Sequence, residues 1–126
     1  MKALRVSIVV LAALMAVSLV NSAYLTARCG GWAEQLRAVT AAAESGDWAG
    51  AEGEMSALRA DWQQKQSYLH ITLMHEEINE ADTLLHQCAL YVAQQDREAL
   101  SDAAVQLSLQ FDRLAELEQL STRNVL

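Results

Sequence analysis

The chain has 126 residues, of which 52% are hydrophobic and 20% are charged, and it contains no proline. This length suits one domain, and the composition excludes collagen-like, proline-rich and loop-dominated chains. The formal net charge of −7 argues against a nucleic-acid-binding protein, because an acidic surface repels phosphate backbones.

The hydrophobic residues are concentrated at the N-terminus. Two basic residues precede the apolar run Val6–Val20, and a weakly polar stretch continues to Ala27. A helix over Val6–Ala27 would cover about 33 Å, close to the hydrocarbon thickness of a bilayer. The shorter apolar run also fits the central region of a cleavable signal peptide. The sequence favours an uncleaved signal anchor, with cleavage after Ser22 as the alternative.

The residues on either side of this segment predict its orientation. The basic residues before it favour a cytoplasmic N-terminus, while Tyr24 and Arg28 resemble the interfacial end of a spanning helix. We therefore expect a single-pass protein of the cell membrane, with residues 1–27 as the anchor and residues 28–126 as an extracytoplasmic domain. That domain carries seven Lys/Arg against sixteen Asp/Glu, a surplus that favours solubility.

Beyond the anchor, apolar residues recur at spacings of three and four, which predicts helices throughout. Gly30 and Gly31 are expected to loosen the first helix, and Ser121–Leu126 leave the helical pattern. The predicted core stripes of the four segments are Cys29, Trp32, Leu36, Val39 and Ala43; Trp48, Ala51, Met55, Leu58, Trp62, Leu69 and Leu73; Met74, Ile78, Ala81, Leu85, Cys88 and Val92; and Leu100, Ala104, Leu107, Phe111, Leu114 and Leu117.

Aspartates mark two of the breaks between these segments. Gly46 can end a helix in the left-handed conformation, Asp47 can cap the next helix, and Asp96 is a second N-cap. No glycine or proline separates the second and third segments, so residues 47–94 form either one long helix or two helices that meet near His70–His75. A single helix of about 70 Å would leave its apolar stripe unmatched, which favours the break.

The two halves of the domain have similar sequence patterns, here called an internal echo. The shift that places Asp47 on Asp96 also places Trp62 on Phe111, together with further core positions. This echo indicates two helical hairpins, produced either by duplication or by convergence of amphipathic helices. The sequence therefore predicts an all-α fold, in which an N-terminal transmembrane or signal-anchor helix is followed by an antiparallel bundle of about four helices.

One polar cluster is a candidate for ligand chemistry. His75, Asp82 and His86 share one stripe of a predicted helix, and Asp82 and His86, four residues apart, can both bind one metal ion. Two ligands make no closed site, no matching second set of ligands occurs elsewhere, and the zinc signature HExxH is absent. The pattern favours an Asp82–His86 surface pair without a metal or cofactor.

No pattern typical of an enzyme is present. The sequence contains neither a nucleophile elbow nor a phosphate-binding glycine loop. Cys88 points away from the nearby histidine, and the pattern places Glu76 and Glu77 outward, where they cannot act as buried acids or bases. Trp48 and Trp62 lie at core spacing, which is more typical of packing than of sugar binding. We expect a non-enzymatic protein.

Several short motifs follow one another along the chain. After the anchor come Gly46-Asp47-Trp48, Trp62, the run His75–Ile78 with Asp82, and the closing Asn124–Leu126. Their order and spacing resemble the domain of unknown function 4363 family, small membrane-anchored proteins of clostridia-type bacteria. The resemblance implies a membrane-tethered helical protein without an assigned activity, and it supplies no catalytic residues.

These features predict a scaffold or interaction module of the cell envelope that binds another envelope or integral membrane protein and no nucleic acid. The candidate interaction residues are Trp48, Trp62, His75, Glu76, Glu77 and Asp82. The alternative is a metal- or ligand-sensing ectodomain that uses His75, Asp82 and His86.

Overall fold

Four α-helices make up the part of the chain that the structure describes. The computed structural model describes the backbone of residues 1–72 and 75–125, and the side chains of residues 1–69 and 75–120. Helix α1 spans Lys2–Glu44, α2 spans Trp48–Thr72, α3 spans His75–Ala93 and α4 spans Arg97–Val125. No strand occurs within these described ranges, so the predicted all-α class is confirmed.

The helices form an up-down-up-down bundle, in which each helix packs against its sequence neighbours and α4 packs back against α1. One end, here the turn end, contains the turns at residues 45–47 and 94–96. The opposite end, here the junction end, is where α1 enters the bundle at Asn21–Leu25. The chain reverses between α2 and α3, because Trp62 contacts Asp82 across them. The predicted break is thus confirmed.

Helix α1 contains both the predicted anchor and the first helix of the bundle. It has 43 residues and a length of about 65 Å. The helix continues through Gly30 and Gly31, and the boundary predicted after Ala27 lies inside it. The loosening expected at the two glycines stays a prediction. Burial begins at Ser22, whereas most large apolar side chains before it are exposed.

The exposed N-terminal part of α1, residues 2–20, is here named the apolar segment. Among the described residues, α1 is the one helix that is long and apolar enough to cross a membrane, by length and composition. None of its most apolar stretch is buried in the bundle. The apolar segment is therefore an extension of the bundle and not part of its core.

The predicted stripes form the core of the bundle. Every stripe residue with a described side chain is buried, except Trp48 and Leu117, which are half-buried. Leu73 and Met74 lie outside the described residues. The stripes predicted the core well because a helix with one apolar face must bury that face against its neighbours.

The C-terminal part of α4 differs from the prediction. Ser121–Leu126 were expected to leave the helical pattern, but α4 continues to Val125. The expectation is therefore wrong for residues 121–125. Helical hydrogen bonds do not require an apolar stripe, and no glycine or proline interrupts this stretch. Leu126 and the side chains of residues 121–125 lie outside the described part.

Both predicted aspartate caps are present at the turn end. The Oδ1 atom of Asp47 accepts a hydrogen bond from the backbone N–H of Gly50 at 2.9 Å. Asp96 does the same for the N–H of Ala99 at 3.1 Å. Each cap satisfies an N–H group that has no partner within its own helix. The two hairpin turns therefore begin their second helices in the same way.

The two turns also end their first helices in the same way, with a residue in the left-handed region. This residue is Gly46 in the first turn, with φ of 82°, and Gln95 in the second, with φ of 55°. The hydrogen bonds around both residues follow one pattern, in which successive N–H groups bond to carbonyls of the last helical turn. Glycine adopts this conformation without the steric cost that Gln95 bears.

Gln95→Gly is expected to raise the free energy of unfolding by about 0.5–1 kcal/mol, because glycine relieves the left-handed strain but adds entropy to the unfolded chain. Gly46→Ala is the matched control and is expected to lower it by about 1 kcal/mol, since nothing packs near that position and only the backbone is strained. Chemical unfolding followed by circular dichroism measures both. Changes of the same sign would contradict the assignment.

Candidate functional site

Three aromatic rings meet in the middle of the bundle. The ring centroids of Trp32 and Trp62 are 5.1 Å apart, and Phe111 lies 5.7 Å from the first and 6.1 Å from the second. All three side chains are at most 1% exposed. Trp62 is therefore a core residue with no face open to a ligand, while Trp48 is half-buried at the start of α2 and packs against the core.

Each buried indole donates a hydrogen bond to an aspartate on the next helix. Trp32 Nε1 donates to Asp61 Oδ2 at 2.6 Å, and the same oxygen accepts from the guanidinium of Arg28. Trp62 Nε1 donates to Asp82 Oδ1 at 3.3 Å. Because a buried indole N–H needs an acceptor, these two aspartates fix α1 to α2 and α2 to α3.

Asp82 and His86 lie on the surface of α3, as the spacing predicted. His86 Nε2 is 3.6 Å from Asp82 Oδ2, and His86 Nδ1 lies 3.2 Å from a guanidinium nitrogen of Arg59. Both ring nitrogens of His86 therefore have protein neighbours, and Asp82 also accepts from Trp62. The pair connects α3 to α2.

The other predicted site residues occupy the first turn of α3. His75 and Glu76 are exposed there, and their exposure is compatible with contact to a partner. Glu77 Oε2 accepts from Gln110 Nε2 at 2.9 Å and from Arg113 Nε at 3.0 Å. The hydrogen bond from Gln110, assisted by Arg113, holds the pKa of Glu77 below its usual value. Glu77 therefore ties α3 to α4 as a carboxylate.

The structure does not gather the predicted metal ligands. Asp82 and His86 are neighbours, but His75 lies seven positions before Asp82, which is about 10 Å along a helix. Among the described side chains, no three His, Cys, Asp or Glu residues are placed to hold a metal ion. On α3, Asp82 and His86 thus form a surface pair, and His75 lies apart from that pair.

The two cysteines are free and buried. Burial raises the pKa of Cys29 to about 12, with a smaller contribution from Asp112, and burial raises the pKa of Cys88 to about 12. A thiol with so high a pKa is neutral at physiological pH and is therefore a poor nucleophile. Both cysteines act as small apolar side chains in the core.

A polar group that the sequence did not indicate lies at the junction end. Glu118 of α4 is only 5% exposed, and it accepts a hydrogen bond from Asn21 Nδ2 of α1 at 3.2 Å. Burial raises the pKa of Glu118, although the bond from Asn21 opposes this. On the other side of α1, the rings of Tyr24 and Tyr68 meet edge to face at 5.9 Å. The junction end is therefore polar and aromatic just where the apolar segment stops.

A signal for Glu118 exists in the sequence. The predicted apolar stripe of α4 runs from Leu114 by a step of three to Leu117. The alternating spacing of three and four also permits a step of four, from Leu114 to Glu118. A carboxylate on an apolar stripe indicates either a partner or a raised pKa. No comparable signal marks Asp61 or Arg28, because their pairing depends on the relative positions of two helices.

Glu118→Gln is expected to raise the free energy of unfolding at neutral pH by about 1 kcal/mol, since glutamine keeps an acceptor for Asn21 and removes a buried charge. With a raised folded-state pKa, the contribution of Glu118 is complete below the ordinary carboxyl pKa. It is lost as pH rises through the folded-state pKa. The variant lacks this fall, which unfolding midpoints measured from about pH 4 to about pH 8 will show.

Glu77→Gln is the matched control with the opposite sign. The lowered pKa of Glu77 gives stability that is present above the ordinary carboxyl pKa and lost as pH falls through the folded-state value. This variant is therefore expected to be less stable than the parent at neutral pH. A loss of stability at neutral pH in Glu118→Gln would contradict the role given to that carboxyl.

The fold and these contacts define a four-helix-bundle protein whose first helix carries an exposed apolar extension. The chain belongs to the family described as Domain of unknown function (DUF4363), whose model matches residues 19–125. The matched range begins close to the point where α1 enters the bundle and ends with α4, so it includes the whole bundle. No curated protein and no solved structure matches the chain.

Proposed function

We propose that this protein is a single-pass membrane protein whose bundle lies outside the cytoplasm and binds another envelope protein. The observation that carries the proposal is the apolar segment, none of whose most apolar stretch is buried. Its uncharged part, residues 6–20, extends about 22 Å. The side chains of Lys2 and Arg5 can extend to the headgroups at one side of a hydrocarbon core about 30 Å thick. An apolar surface of this extent is unfavourable in water, and a bilayer would cover it on all sides.

The distribution of charge supports the proposed orientation. Lys2 and Arg5 stand at the very start of the apolar segment, whereas the first basic residue after its end at residue 20 is Arg28. Positive residues close to a spanning helix favour the cytoplasmic side. This asymmetry supports a bundle on the outer side.

An exposed apolar face on α4 supports the proposed interaction. Val105 is 59% exposed and Leu109 is 63% exposed, and their spacing of four places them on one face of the helix. They border a groove between α1 and α4 that is also lined by Leu36 and Thr40. Trp62 is buried and cannot contact a partner, so this face of α4 is the better candidate surface. Metal sensing through His75, Asp82 and His86 has no comparable support.

Membrane insertion is tested by fractionation of the full-length chain after expression in bacteria. The protein is expected in the membrane pellet, resistant to alkaline extraction, with its bundle digested only by protease added from outside the cytoplasmic membrane. Leu11→Arg combined with Leu14→Arg is expected to reduce insertion, because each arginine at mid-bilayer costs about 2.5–3.5 kcal/mol. The matched double variant Val105→Arg with Leu109→Arg should still insert. A parent chain that stays soluble after ultracentrifugation would overturn the proposal.

The interaction is tested separately with a photoreactive amino acid in place of Leu109. Irradiation of intact cells is expected to give a crosslink to another envelope protein, and the Val105→Arg substitution in the same chain should reduce it. The same photoreactive residue in place of His86, on the far side of the bundle, serves as the control. The binding role fails if position 109 gives no more crosslinking than position 86.

A further inference from the structure

An apolar groove opens at the junction end between α1 and α2. Its volume is about 680 Å³, and its walls include Val17 and Val20 from α1 together with Tyr68 from α2. Val17 and Val20 are exposed and belong to the apolar segment. The groove therefore continues the surface that the proposed membrane insertion would place among acyl chains.

One of the described residues that line this groove is a cation. Lys65 lines it, and its Nζ atom lies 5.9 Å from the centroid of the Tyr24 ring. Apart from Lys2, Lys65 is the only lysine in the chain. Among the described side chains it forms no ion pair, whereas Arg28, the next cation along this face, is paired with Asp61.

The two walls of the groove are free of acidic residues. Neither residues 6–33 of α1 nor residues 62–72 of α2 contain aspartate or glutamate, although the whole chain has sixteen. Glu118 is close by, but it is buried and bonded to Asn21. The nearest carboxylate along α2, that of Asp61, lies one turn before Lys65 and is paired with Arg28. An anion at Lys65 therefore meets a cation whose acidic neighbours are either buried or already paired.

We propose that this groove binds one anionic phospholipid, with an acyl chain along Val17 and Val20 and the phosphate at Lys65. The inference rests on the proposed membrane insertion. Tyr24 and Tyr68 lie between the apolar wall and Lys65, as aromatic rings do at the level of the headgroups. A lysine with its stem on apolar surface and its ammonium group in the headgroup layer binds anionic lipid in preference to zwitterionic lipid.

The test uses the full-length chain reconstituted in vesicles of equal parts phosphatidylglycerol and phosphatidylcholine, then released into detergent for native mass spectrometry. The parent is expected to retain one phosphatidylglycerol per chain in preference to phosphatidylcholine, and Lys65→Gln is expected to reduce that preference about fivefold. Arg59→Gln, which removes a cation from the same helix farther from the junction end, is the matched control and should keep the preference. Val20→Trp, which fills the groove, should reduce retention of both lipids.

Each other outcome would overturn the proposal. The parent could retain the two lipids equally, or Lys65→Gln and Arg59→Gln could reduce the lipid preference by the same amount. Inorganic phosphate could displace the bound lipid. The groove could instead hold a second copy of the chain, in which case Val20→Trp would abolish dimer formation. Flotation of the reconstituted vesicles is measured first. A chain that fails to float refutes the proposed membrane insertion, whereas a chain that floats without lipid preference refutes this inference alone.

Discussion

Trp62→Ala is expected to lower the free energy of unfolding by about 3–5 kcal/mol, a large part of the stability of a small domain. The ring packs against Trp32 and Phe111, so its removal leaves a cavity where three helices meet. It also removes the indole that donates to Asp82. Thermal unfolding followed by circular dichroism measures the loss, and near-ultraviolet spectra report whether the remaining rings stay packed.

Two variants separate the contributions to this loss. Trp62→Phe keeps most of the packing and removes the N–H donor. The lost hydrogen bond is expected to lower the free energy of unfolding by about 1 kcal/mol, and the smaller ring lowers it further. Trp48→Ala is the matched control, because the same side chain is removed from a half-buried position, and about 1–2 kcal/mol is expected. Equal losses in Trp48→Ala and Trp62→Ala would contradict the central role assigned to the ring.

The helices and the core were predictable because each rests on local information. Apolar residues that recur every three or four positions determine which face of a helix is buried, whatever that face packs against. The turns at Asp47 and Asp96 were equally local, since an aspartate caps the helix that follows it. The reversal between α2 and α3 followed from a different argument, namely that one long helix would leave an apolar stripe exposed.

The contacts between helices were not predictable in the same way. Asp61 and Lys65 lie one turn apart on α2, yet the first is paired with Arg28 and the second faces a groove. This difference depends on how far α1 and α2 slide along each other, which no residue of either helix specifies alone. The continuity of α1 has a similar cause, because Cys29 and Trp32 pack into the core on either side of the two glycines.

Asp61→Ala is expected to lower the free energy of unfolding by about 2–3 kcal/mol, since it leaves two donors without an acceptor. Trp32 Nε1 is in the core, and Arg28 is only about a third exposed. The Nε atom of Arg28 already has no partner among the described groups, so the guanidinium depends on Asp61. Asp61→Asn keeps one acceptor and is expected to cost less than the alanine variant.

The contact between Asp61 and Trp32 is isolated by a double-mutant cycle with Trp32→Phe. One hydrogen bond to a carboxylate connects the two side chains. The summed losses in unfolding free energy of the two single variants should therefore exceed the loss of the double variant by about 1 kcal/mol or more. Asp82→Ala with Trp62→Phe forms the matched cycle on the next pair of helices. Its longer bond of 3.3 Å predicts a smaller coupling energy. Additive losses in the first cycle would show that Asp61 acts through Arg28 alone, and chemical unfolding of the four variants decides between these outcomes.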